Sequence, residues 1–534
     1  MTFNRRAFLR RTAIGAAGLC GVSFLPACRS SRSAPAAGQL PRRSPESQGV
    51  SSAGILAFLE AVQASKHEMH SFMLVRHGAV VAEGWWSPYG PQYRHTLYSL
   101  SKSFTSTAVG FAVTEGRLKL EDRVATFFPN DLPGEVTANL QAMRVKDLLM
   151  MAAGHENDPT WSIVEHENWA KAFLAWPVPQ PPGSLFVYNS GATYMLSAIV
   201  QQVTGQRMAD YLQPRLFEPL AIEGAKWEVC PRGINVGGWG LSVTTESLAK
   251  FGQLYLQRGM WQGRELLPAA WVDAATSFKI QQPLPAKSAR PKERNDWVQG
   301  YCYQFWRCTH DAYRGDGAFG QFLVVLPEQD AVVAITAETS DMQGELDLVW
   351  QHLLPALQRD ALPPARQEED RLREKLASLA LPPLKSQPPP PLAAGINGKV
   401  YQLEANSLGL RSASFQSTGT GCVFTARDGQ QEYPVACGID RWQFGETAFP
   451  GTPPRLISGG APPKGTKARV AASAGWVDAK TLEMLWRYYE TPHHDNVTCR
   501  FEGDTVQVAF LNSMVQMGPN PKDKRGVVRG KISA

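Results

Sequence analysis

The sequence predicts an α+β domain followed by a small all-β domain. In the first part of the chain, a predicted β-hairpin at 71–84 and a predicted antiparallel strand pair within 312–338 enclose a long region with helical periodicity. From residue 395 onward the pattern changes to short alternating strands, such as VYQLEAN and TVQVAFL. The proline-rich segment KSQPPPPLAAG lies between the two regions and is typical of a linker.

At 534 residues the chain is too long for one compact domain. Composition and periodicity divide it into five consecutive segments. These are a signal peptide at 1–27, a flexible tether at 28–45, an α+β domain at 46–357, a short helix with the proline-rich linker at 358–394, and an all-β barrel or sandwich at 395–534.

The first segment has the pattern of an export signal. A basic stretch, NRRAFLRR, precedes the apolar stretch TAIGAAGLCGVSFL, which is too short to span a bilayer stably. The run from Asn4 to Arg10 resembles a twin-arginine signal, and Leu25-Pro26-Ala27-Cys28 resembles a lipobox. We expect an exported, periplasmic protein that is anchored to the membrane through lipid on Cys28. The alternative is cleavage nearby, with Cys28 incidental.

Charge and cysteine content exclude two classes of function. The formal net charge is +6, but four arginines lie in the segment expected to be removed, which leaves the mature chain near +2. Nucleic acid binding is therefore not expected. Six cysteines remain beyond Cys28, none with CxxC spacing, so neither a zinc site nor a cofactor is expected, and disulfide pairing stays open.

The stretch LYSLSKSFTSTAVGFA, residues 97–112, holds the strongest candidate for a nucleophile. Ser99 and Lys102 are three residues apart, so on a helix they share one face. A serine hydroxyl needs a neighbouring base, and a desolvated lysine can have its pKa lowered enough to act as one. The S-x-x-K pattern is weak by itself, since Ser247 and Lys250 repeat it within an ordinary capped amphipathic helix.

Two further stretches carry candidate site residues. Tyr188 lies on a loop just before a helix with an apolar stripe, which suits a phenol presented into a cleft. Further on, Gly315-Asp316-Gly317 opens a predicted strand, and glycine there permits close approach of a substrate to the strand edge.

Taken together, Ser99-x-x-Lys102, Tyr188-Asn189-Ser190 and Gly315-Asp316-Gly317 resemble the three motifs of the serine β-lactamase and penicillin-binding-protein superfamily. Their order and separations are similar to those of class C β-lactamases, family VIII-type esterases and 6-aminohexanoate-dimer hydrolases. The resemblance extends over roughly residues 45–357 and implies a β-lactamase-like transpeptidase fold, an antiparallel sheet flanked by helices.

The resemblance also implies roles for individual residues. Ser99 would be the acylated nucleophile and Lys102 its proton partner, while Tyr188 would be the general base for attack and the acid for the leaving group. The backbone amides of Ser99 and Ala318 would form the oxyanion hole. We further expect substrate contacts from five residues, which are Ser190, Trp239, Gly315, Asp316 and Gly317.

Two departures from the family pattern bear on the substrate. The third motif usually begins with a lysine or histidine that holds a β-lactam carboxylate, but here that place is Gly315 with Asp316 after it. Strand alternation would turn the nearby Arg314 to the other face. Serine at 190 also lacks the side-chain amide that contacts acylamide groups.

We therefore expect an exported serine hydrolase that cleaves an ester or amide, in a small molecule or peptide, through an acyl-enzyme. One alternative is a D-amino-acid peptidase, carboxypeptidase or weak β-lactamase acting on peptidoglycan-type substrates. A second is a non-catalytic penicillin-recognising scaffold, although a scaffold has no physical need for Ser99, Lys102 and Tyr188 together.

Other polar clusters are expected to be solvated rather than functional. His155, Glu156, His166 and Glu167 fall in a loop without a helical metal-binding pattern. The run His493-His494-Asp495 is predicted to be a loop between strands of the all-β domain, where we assign no site.

Overall fold

The structure is a computed structural model and describes residues 38–284, 290–457, 466–518 and 521–532. The predicted signal peptide, Cys28 and the start of the predicted tether lie outside these residues.

A six-stranded antiparallel sheet forms the centre of the first domain. Its strand order is β2-β1-β11-β10-β9-β8, so the hairpin at the start of the domain pairs with the last strand of the domain. A small sheet β3-β5-β4 and a hairpin β6-β7 lie outside it. The strands are β1 Glu68–Arg76, β2 Ala79–Trp85, β3 His95–Thr96, β4 Lys226–Trp227, β5 Leu241–Val243, β6 Met260–Trp261, β7 Arg264–Glu265, β8 Trp306–Arg307, β9 Tyr313–Gly317, β10 Gln321–Leu326 and β11 Ala331–Glu338.

Helices cover both faces of this sheet. The group α2, α7 and α9 contributes to the core on one face, and α1, α11 and α13 contribute to the core on the other. The helices are α1 Ser52–Ala64, α2 Ser101–Thr114, α3 Ala138–Ala142, α4 Val145–Leu149, α5 Thr160–Ile163, α6 Trp169–Ala175, α7 Ser190–Thr204, α8 Met208–Leu212, α9 Thr245–Leu256, α10 Ala269–Thr276, α11 Met342–Leu348, α12 Leu354–Ala356 and α13 Arg366–Ala377. Short 3₁₀ turns occupy Glu46–Gln48, Tyr98–Leu100, Val124–Phe127 and Lys292–Arg294, and π turns occupy Gln213–Phe217 and Val349–Leu353. The α+β prediction is confirmed.

The central helix α2 is almost wholly buried, as its small and apolar sequence requires. Every residue from Ser101 to Ala112 is buried, and Phe104 stacks on Phe251 with ring centroids 3.8 Å apart. Gly110 allows the indole of Trp271 to approach, since a Cβ at this position would lie 2.4 Å from the indole nitrogen. A helix packed this closely holds its N-terminal turn in a fixed position.

Strand β9 lies directly against the turn that precedes α2. A Cβ on Gly317 would lie 2.0 Å from the carbonyl oxygen of Leu97, and one on Gly315 would lie 2.9 Å from Ser103 Oγ. The absence of a side chain at both glycines therefore lets the strand pack closely on the chain segment that carries Ser99. Their predicted contacts with substrate stay a prediction.

Part of the predicted tether is packed on the domain. Leu40 is buried, and the guanidinium of Arg42 donates hydrogen bonds to Glu83 and Glu246. The carbonyl of Gly38 accepts a hydrogen bond from Lys250 at 3.0 Å. The prediction of a flexible tether is therefore wrong for residues 38–45, because a run that is polar in sequence finds charged partners on the domain surface.

The second domain is a closed barrel. Its strands follow the order β15-β14-β13-β12-β21-β20-β19-β18-β17-β16, and a parallel pairing of β15 with β17 closes the sheet. Closure removes exposed sheet edges, which fits the short alternating strands of this region. The strands are β12 Val400–Leu403, β13 Ser412–Thr418, β14 Gly421–Arg427, β15 Glu432–Ile439, β16 Gln443–Thr447, β17 Ala468–Trp476, β18 Thr481–Arg487, β19 His494–Glu502, β20 Thr505–Asn512 and β21 Val527–Ile532, with helices α14 Pro391–Ile396 and α15 Ser513–Gln516.

The barrel contacts the first domain through the end of β18 and the residues that follow it. Arg487 forms an ion pair with Glu68 on β1, with Nη2 2.8 Å from Oε2. The amide of Thr96 donates to the carbonyl of Glu490 at 3.0 Å. Helix α13, predicted as part of a linker, packs on α1 and β2 and buries Leu372. The linker region thus belongs to the folded body.

Within the described residues, no helix is both long and apolar enough to cross a membrane. All six cysteines of the described chain are free thiols, namely Cys230, Cys302, Cys308, Cys422, Cys437 and Cys499.

The tight approach at Gly317 gives a prediction about stability. Gly317→Ala would force a Cβ against the Leu97 carbonyl, so we expect its first calorimetric unfolding transition to fall by roughly 2–10 °C. Gly445→Ala is the matched control, since Gly445 also lies in a strand but a Cβ there meets nothing within 4 Å. We expect this control to stay within about 2 °C of the parent. Equal midpoints for the two variants would contradict the packing argument.

Candidate active site

Ser99 lies in the 3₁₀ turn Tyr98–Leu100 at the N-terminal end of α2. The turn is held on both sides: the amide of Leu97 donates to Leu241 O at 2.8 Å, and Ser101 Oγ donates to Tyr98 O at 2.6 Å. Ser99 itself is partly exposed, whereas Tyr98 and Leu100 beside it are buried. The predicted nucleophile is therefore the accessible residue of a rigid turn.

Lys102 contacts Ser99 from the first turn of α2. Its Nζ lies 3.0 Å from Ser99 Oγ, 2.9 Å from Ser190 Oγ and 2.7 Å from the carbonyl oxygen of Gly238. The side chain is 1% exposed. Burial lowers the pKa of Lys102 to about 7, although nearby Asp158 and Asp316 act in the opposite direction.

The three oxygens around Lys102 determine how a neutral amine would be oriented. Gly238 O can only accept a hydrogen bond, and Ser190 Oγ is able to accept one as well. A neutral amine has two N–H donors, which these two oxygens satisfy. Its lone pair then faces Ser99 Oγ, which is the arrangement needed to take the serine proton.

Tyr188 borders the same site from the loop before α7. Its ring lies over Lys102 Nζ, 4.8 Å from the ring centroid, and stacks on Trp306 with centroids 5.4 Å apart. Burial raises the pKa of Tyr188, and nearby Asp316 adds to this shift, while the side chain of Ser99 opposes it. The phenol is therefore protonated at neutral pH.

Ser190 and Asn189 have structural partners of their own. Asn189 caps α7, with its side-chain oxygen accepting from the amide of Ala192 at 2.9 Å, and its amide group contacts His155 Nδ1 at 2.8 Å. Ser190 is buried and bonds Lys102. Ser190 thus helps to hold Lys102 in place, and its predicted contact with substrate stays a prediction.

The third motif contains a buried ion pair. Arg314 Nε donates to Asp316 Oδ2 at 3.0 Å, and Arg314 Nη1 donates to the Asp296 carbonyl at 2.8 Å. Both side chains are buried, on the opposite face of β9 from Gly315 and Gly317. Burial raises the pKa of Asp316, and Arg314 opposes that shift. Arg314 is therefore the partner of Asp316, and the predicted contact of Asp316 with substrate stays a prediction.

Ala318 follows β9 directly, at the strand end that packs on the Ser99 turn. The next residue, Phe319, has a left-handed backbone with φ of +68°, as Tyr98 has with φ of +47°. Non-glycine residues in this region are uncommon and strained. The two amides proposed for the oxyanion hole thus each neighbour a left-handed residue.

Trp239 is a core residue with one edge on a cavity. It is 3% exposed and stacks on Trp169 with ring centroids 5.7 Å apart. The cavity, of about 370 Å³, lies between the two domains and is also lined by Tyr98 and Trp227. Trp239 therefore contributes packing first, and its predicted substrate contact is limited to this edge.

Some residues of the site had no signal in the sequence. Asp158 lies in a loop without periodicity and raises the pKa of Lys102. Trp306 lies in a two-residue strand and stacks on the ring of Tyr188. His155 was expected to be solvated but is buried, and burial lowers its pKa to about 4. Glu156, His166 and Glu167 are exposed as expected.

One cluster of described residues has the spacing of a metal site. Ligand atoms of Glu68, Glu338 and His494 lie within 4.8 Å of one another. Arg487 already provides a cation to Glu68, and His493 contacts Glu338 with Nδ1 2.6 Å from Oε1. These contacts occupy the carboxylates, so the cluster is a network of ion pairs and hydrogen bonds.

Comparison with known proteins agrees with this geometry. The family model described as Beta-lactamase matches residues 61–357. The 6-aminohexanoate-dimer hydrolase of Paenarthrobacter ureafaciens is 27% identical over 285 residues, which cover 49% of this chain and 71% of that protein. Penicillin-binding protein 4 of Amycolatopsis lactamdurans is 25% identical over 277 residues, which cover 44% of this chain and 70% of that protein.

Among solved structures, the chain is similar to EstCE1, described as a hydrolase with promiscuous acyltransferase activity. It shares 15% sequence identity, covers 58% of this chain and 99% of its own, and superposes with a TM-score of 0.48. The family model spans more than half of the 534 residues. Over residues 61–357, the chain therefore belongs to the beta-lactamase family of serine hydrolases.

Proposed function

We propose that this protein hydrolyses an ester or amide through an acyl-enzyme on Ser99. The observation that carries the proposal is the position of Lys102, a buried amine 3.0 Å from Ser99 Oγ whose pKa is lowered to about 7. A purely structural lysine gains nothing from losing its charge, whereas a base near neutral pH requires it.

In the first step, neutral Lys102 takes the proton from Ser99 as Oγ attacks the substrate carbonyl carbon. The tetrahedral oxyanion is held by the amides of Ser99 and Ala318, where preorganised donors contribute most to catalysis. The positive end of α2 points toward the same place, because the 3₁₀ turn that contains Ser99 directly precedes this helix.

Collapse of the tetrahedral intermediate requires a proton on the leaving group. Tyr188 is protonated and lies above the Lys102 amine, so its hydroxyl donates to the leaving oxygen or nitrogen and regains a proton from the Lys102 ammonium. A water molecule then attacks the acyl carbon while Lys102 takes one of its protons. The bond from Ser99 Oγ to the acyl carbon breaks as that proton passes from the Lys102 ammonium to Oγ, which releases the acid and regenerates Ser99.

This assignment changes the division of roles that the family resemblance implied. Tyr188 as the initial base would need a phenolate, but burial raises its pKa. Lys102 has the opposite shift and the direct contact with Ser99. Lys102 is thus the base for attack, and Tyr188 delivers the proton to the leaving group.

The third motif supports a substrate without a carboxylate next to the scissile bond. Gly315 replaces the usual cation, and Arg314 is paired with Asp316 on the other face of the strand. An ester or amide therefore fits the site better than the peptidoglycan-type substrates of a carboxypeptidase. A related protein is named for an amide-containing dimer, 6-aminohexanoate dimer, which agrees with this substrate class.

We also propose that the protein is exported and carries lipid on Cys28. The support is the sequence of residues 1–28 alone, with its basic stretch, apolar stretch and lipobox-like end. A lipid anchor would hold the catalytic domain at the membrane surface.

Intact-mass spectrometry tests the function and the anchor together. Protein purified from its own membranes is incubated with a fluorophosphonate and, separately, with a penicillin. We expect a fluorophosphonate adduct that maps to Ser99 and is absent in Ser99→Ala. We also expect the mass of a chain that begins at a lipidated Cys28. A stable penicilloyl adduct would favour the carboxypeptidase alternative, and the absence of any adduct would favour the scaffold. A mass with unmodified Cys28 would contradict the anchor.

The pKa of Lys102 predicts the pH dependence of acylation. The reactive form is the neutral amine, so the rate of the first step rises with pH and levels off with a midpoint near 7, where Lys102 loses its proton. The second-order rate of fluorophosphonate labelling between pH 5 and 10 measures this directly. A profile flat from pH 5 to 8, or a midpoint near the ordinary lysine pKa, would rule out Lys102 as the base.

Tyr188→Phe separates the two proton-transfer roles. Removal of the hydroxyl leaves the ring stacked on Trp306 but deletes the donor to the leaving group. We expect turnover of an alkyl ester or amide to fall by roughly 10²–10⁴-fold. Turnover of a nitrophenyl ester, whose leaving group needs no proton, should fall far less. Equal losses on both substrates would instead favour Tyr188 as the base for attack.

A further inference from the structure

His493 of the barrel contacts the residues next to both amides of the oxyanion hole. Its Nε2 lies 2.5 Å from the hydroxyl of Tyr98, which precedes Ser99. Its ring packs edge-on against Phe319, which follows Ala318, with centroids 4.8 Å apart. The rings of Tyr98 and Phe319 also meet edge-on at 5.5 Å. The imidazole of His493 therefore contacts both of the residues that flank the two amides.

Those flanking residues need external support. Tyr98 and Phe319 both have positive φ, at +47° and +68°. This conformation is strained for a residue with a bulky side chain, and it persists only where the surroundings hold it. Each also neighbours a catalytic amide, so relaxation of either backbone would move a donor of the oxyanion hole.

His493 is itself held firmly from the first domain. Its Nδ1 lies 2.6 Å from Oε1 of Glu338, at the end of β11. Glu338 also accepts from Ser513 Oγ at 2.5 Å, and His494 Nδ1 lies 3.0 Å from Oε2. Burial alone would raise the pKa of Glu338, but hydrogen bonds from His493 and His494 lower it to about 2. The carboxylate is thus ionised and accepts the proton of Nδ1, which leaves Nε2 free to accept from Tyr98.

Strand β11 also anchors the second flanking residue. The amide of Thr339, directly after Glu338, donates to the carbonyl of Phe319 at 3.1 Å. The same strand end therefore fixes His493 by a side chain and Phe319 by its backbone. His493 was expected to be a solvated loop residue, yet the side chain is fully buried. A buried imidazole with a carboxylate on one nitrogen and a phenol on the other has no freedom of orientation.

We propose that His493 is a positioning residue for the oxyanion hole: by linking Glu338 to Tyr98 and packing on Phe319, it fixes the amides of Ser99 and Ala318. The inference rests on the acyl-enzyme function proposed above. The barrel then contributes to catalysis through His493, which acts on the oxyanion hole by way of Tyr98 and Phe319.

Three substitutions of His493 test the proposal in the full-length protein. His493→Ala removes both hydrogen bonds. In His493→Asn the side-chain amide reaches about as far as Nδ1 and can keep the hydrogen bond to Glu338. In His493→Gln the side-chain amide reaches about as far as Nε2 and can keep the hydrogen bond to Tyr98. With a nitrophenyl ester, we expect kcat to fall roughly 10- to 100-fold for Ala and Asn, with KM within about twofold. Gln should recover at least part of the loss.

Controls separate positioning from folding. Asp495→Asn weakens another buried contact two residues further along, at the start of β19, since Asp495 accepts from Arg525 Nη1 at 3.0 Å and from Tyr488 at 2.6 Å. We expect a lower thermal midpoint in this variant with kcat unchanged. If His493→Ala does not fold, Tyr98→Phe removes only the hydroxyl and should reduce kcat in the same way.

The outcomes also distinguish this inference from the proposed function. If the parent protein turns over the ester and Ser99→Ala does not, the acyl-enzyme stands. Parental kcat in both His493→Ala and Tyr98→Phe would then overturn the positioning role alone. Equal kcat losses in Asp495→Asn and His493→Ala, or a Gln variant no better than Asn, would also overturn it. Failure of the parent itself to label or turn over would remove the function on which the inference depends.

Discussion

The burial of Lys102 is the constraint on which the rest of the catalytic domain depends. A charged amine among protein atoms is costly unless it is solvated by fixed oxygens or loses its proton. Gly238 O and Ser190 Oγ are the fixed oxygens around Lys102, and burial also lowers the pKa of Lys102 to about 7. Holding those oxygens in place requires the N-terminus of α7, the glycine segment around Gly238 and the closely packed α2. The packing of these elements thus keeps Lys102 out of contact with water and aligned with Ser99 Oγ.

The interface between the two domains contains buried polar contacts as well as apolar ones. Arg487 pairs with Glu68, and His493 links Glu338 to Tyr98. Buried charges of this kind are costly to leave unpaired, so they specify one docking geometry even where they add little net stability. That geometry brings the loop after β18 beside the Ser99 turn. Domain docking and the shape of the active site are therefore coupled.

Local patterns predicted much of the fold and the site from sequence. The hairpin, the strand pair before Glu338 and the alternating strands after residue 395 have clear periodicities, and the structure contains them. The order of three motifs brought Ser99, Lys102 and Tyr188 into one hypothesis, and the structure places them together. The glycines at 315 and 317 were predicted to be positions of close approach, and the structure shows that the Leu97–Leu100 turn and helix α2 approach them.

The sequence by itself determined which chemical groups are available and where secondary structure forms, because both depend on residues close together along the chain. Only the tertiary structure decided what surrounds those groups. The pKa values of Lys102 and Tyr188 depend on burial, and the pairing of Arg314 with Asp316 depends on a strand face. The contact of His493 with Tyr98 joins residues 395 positions apart. No local pattern encodes such a contact, since it arises from how two separately patterned domains pack.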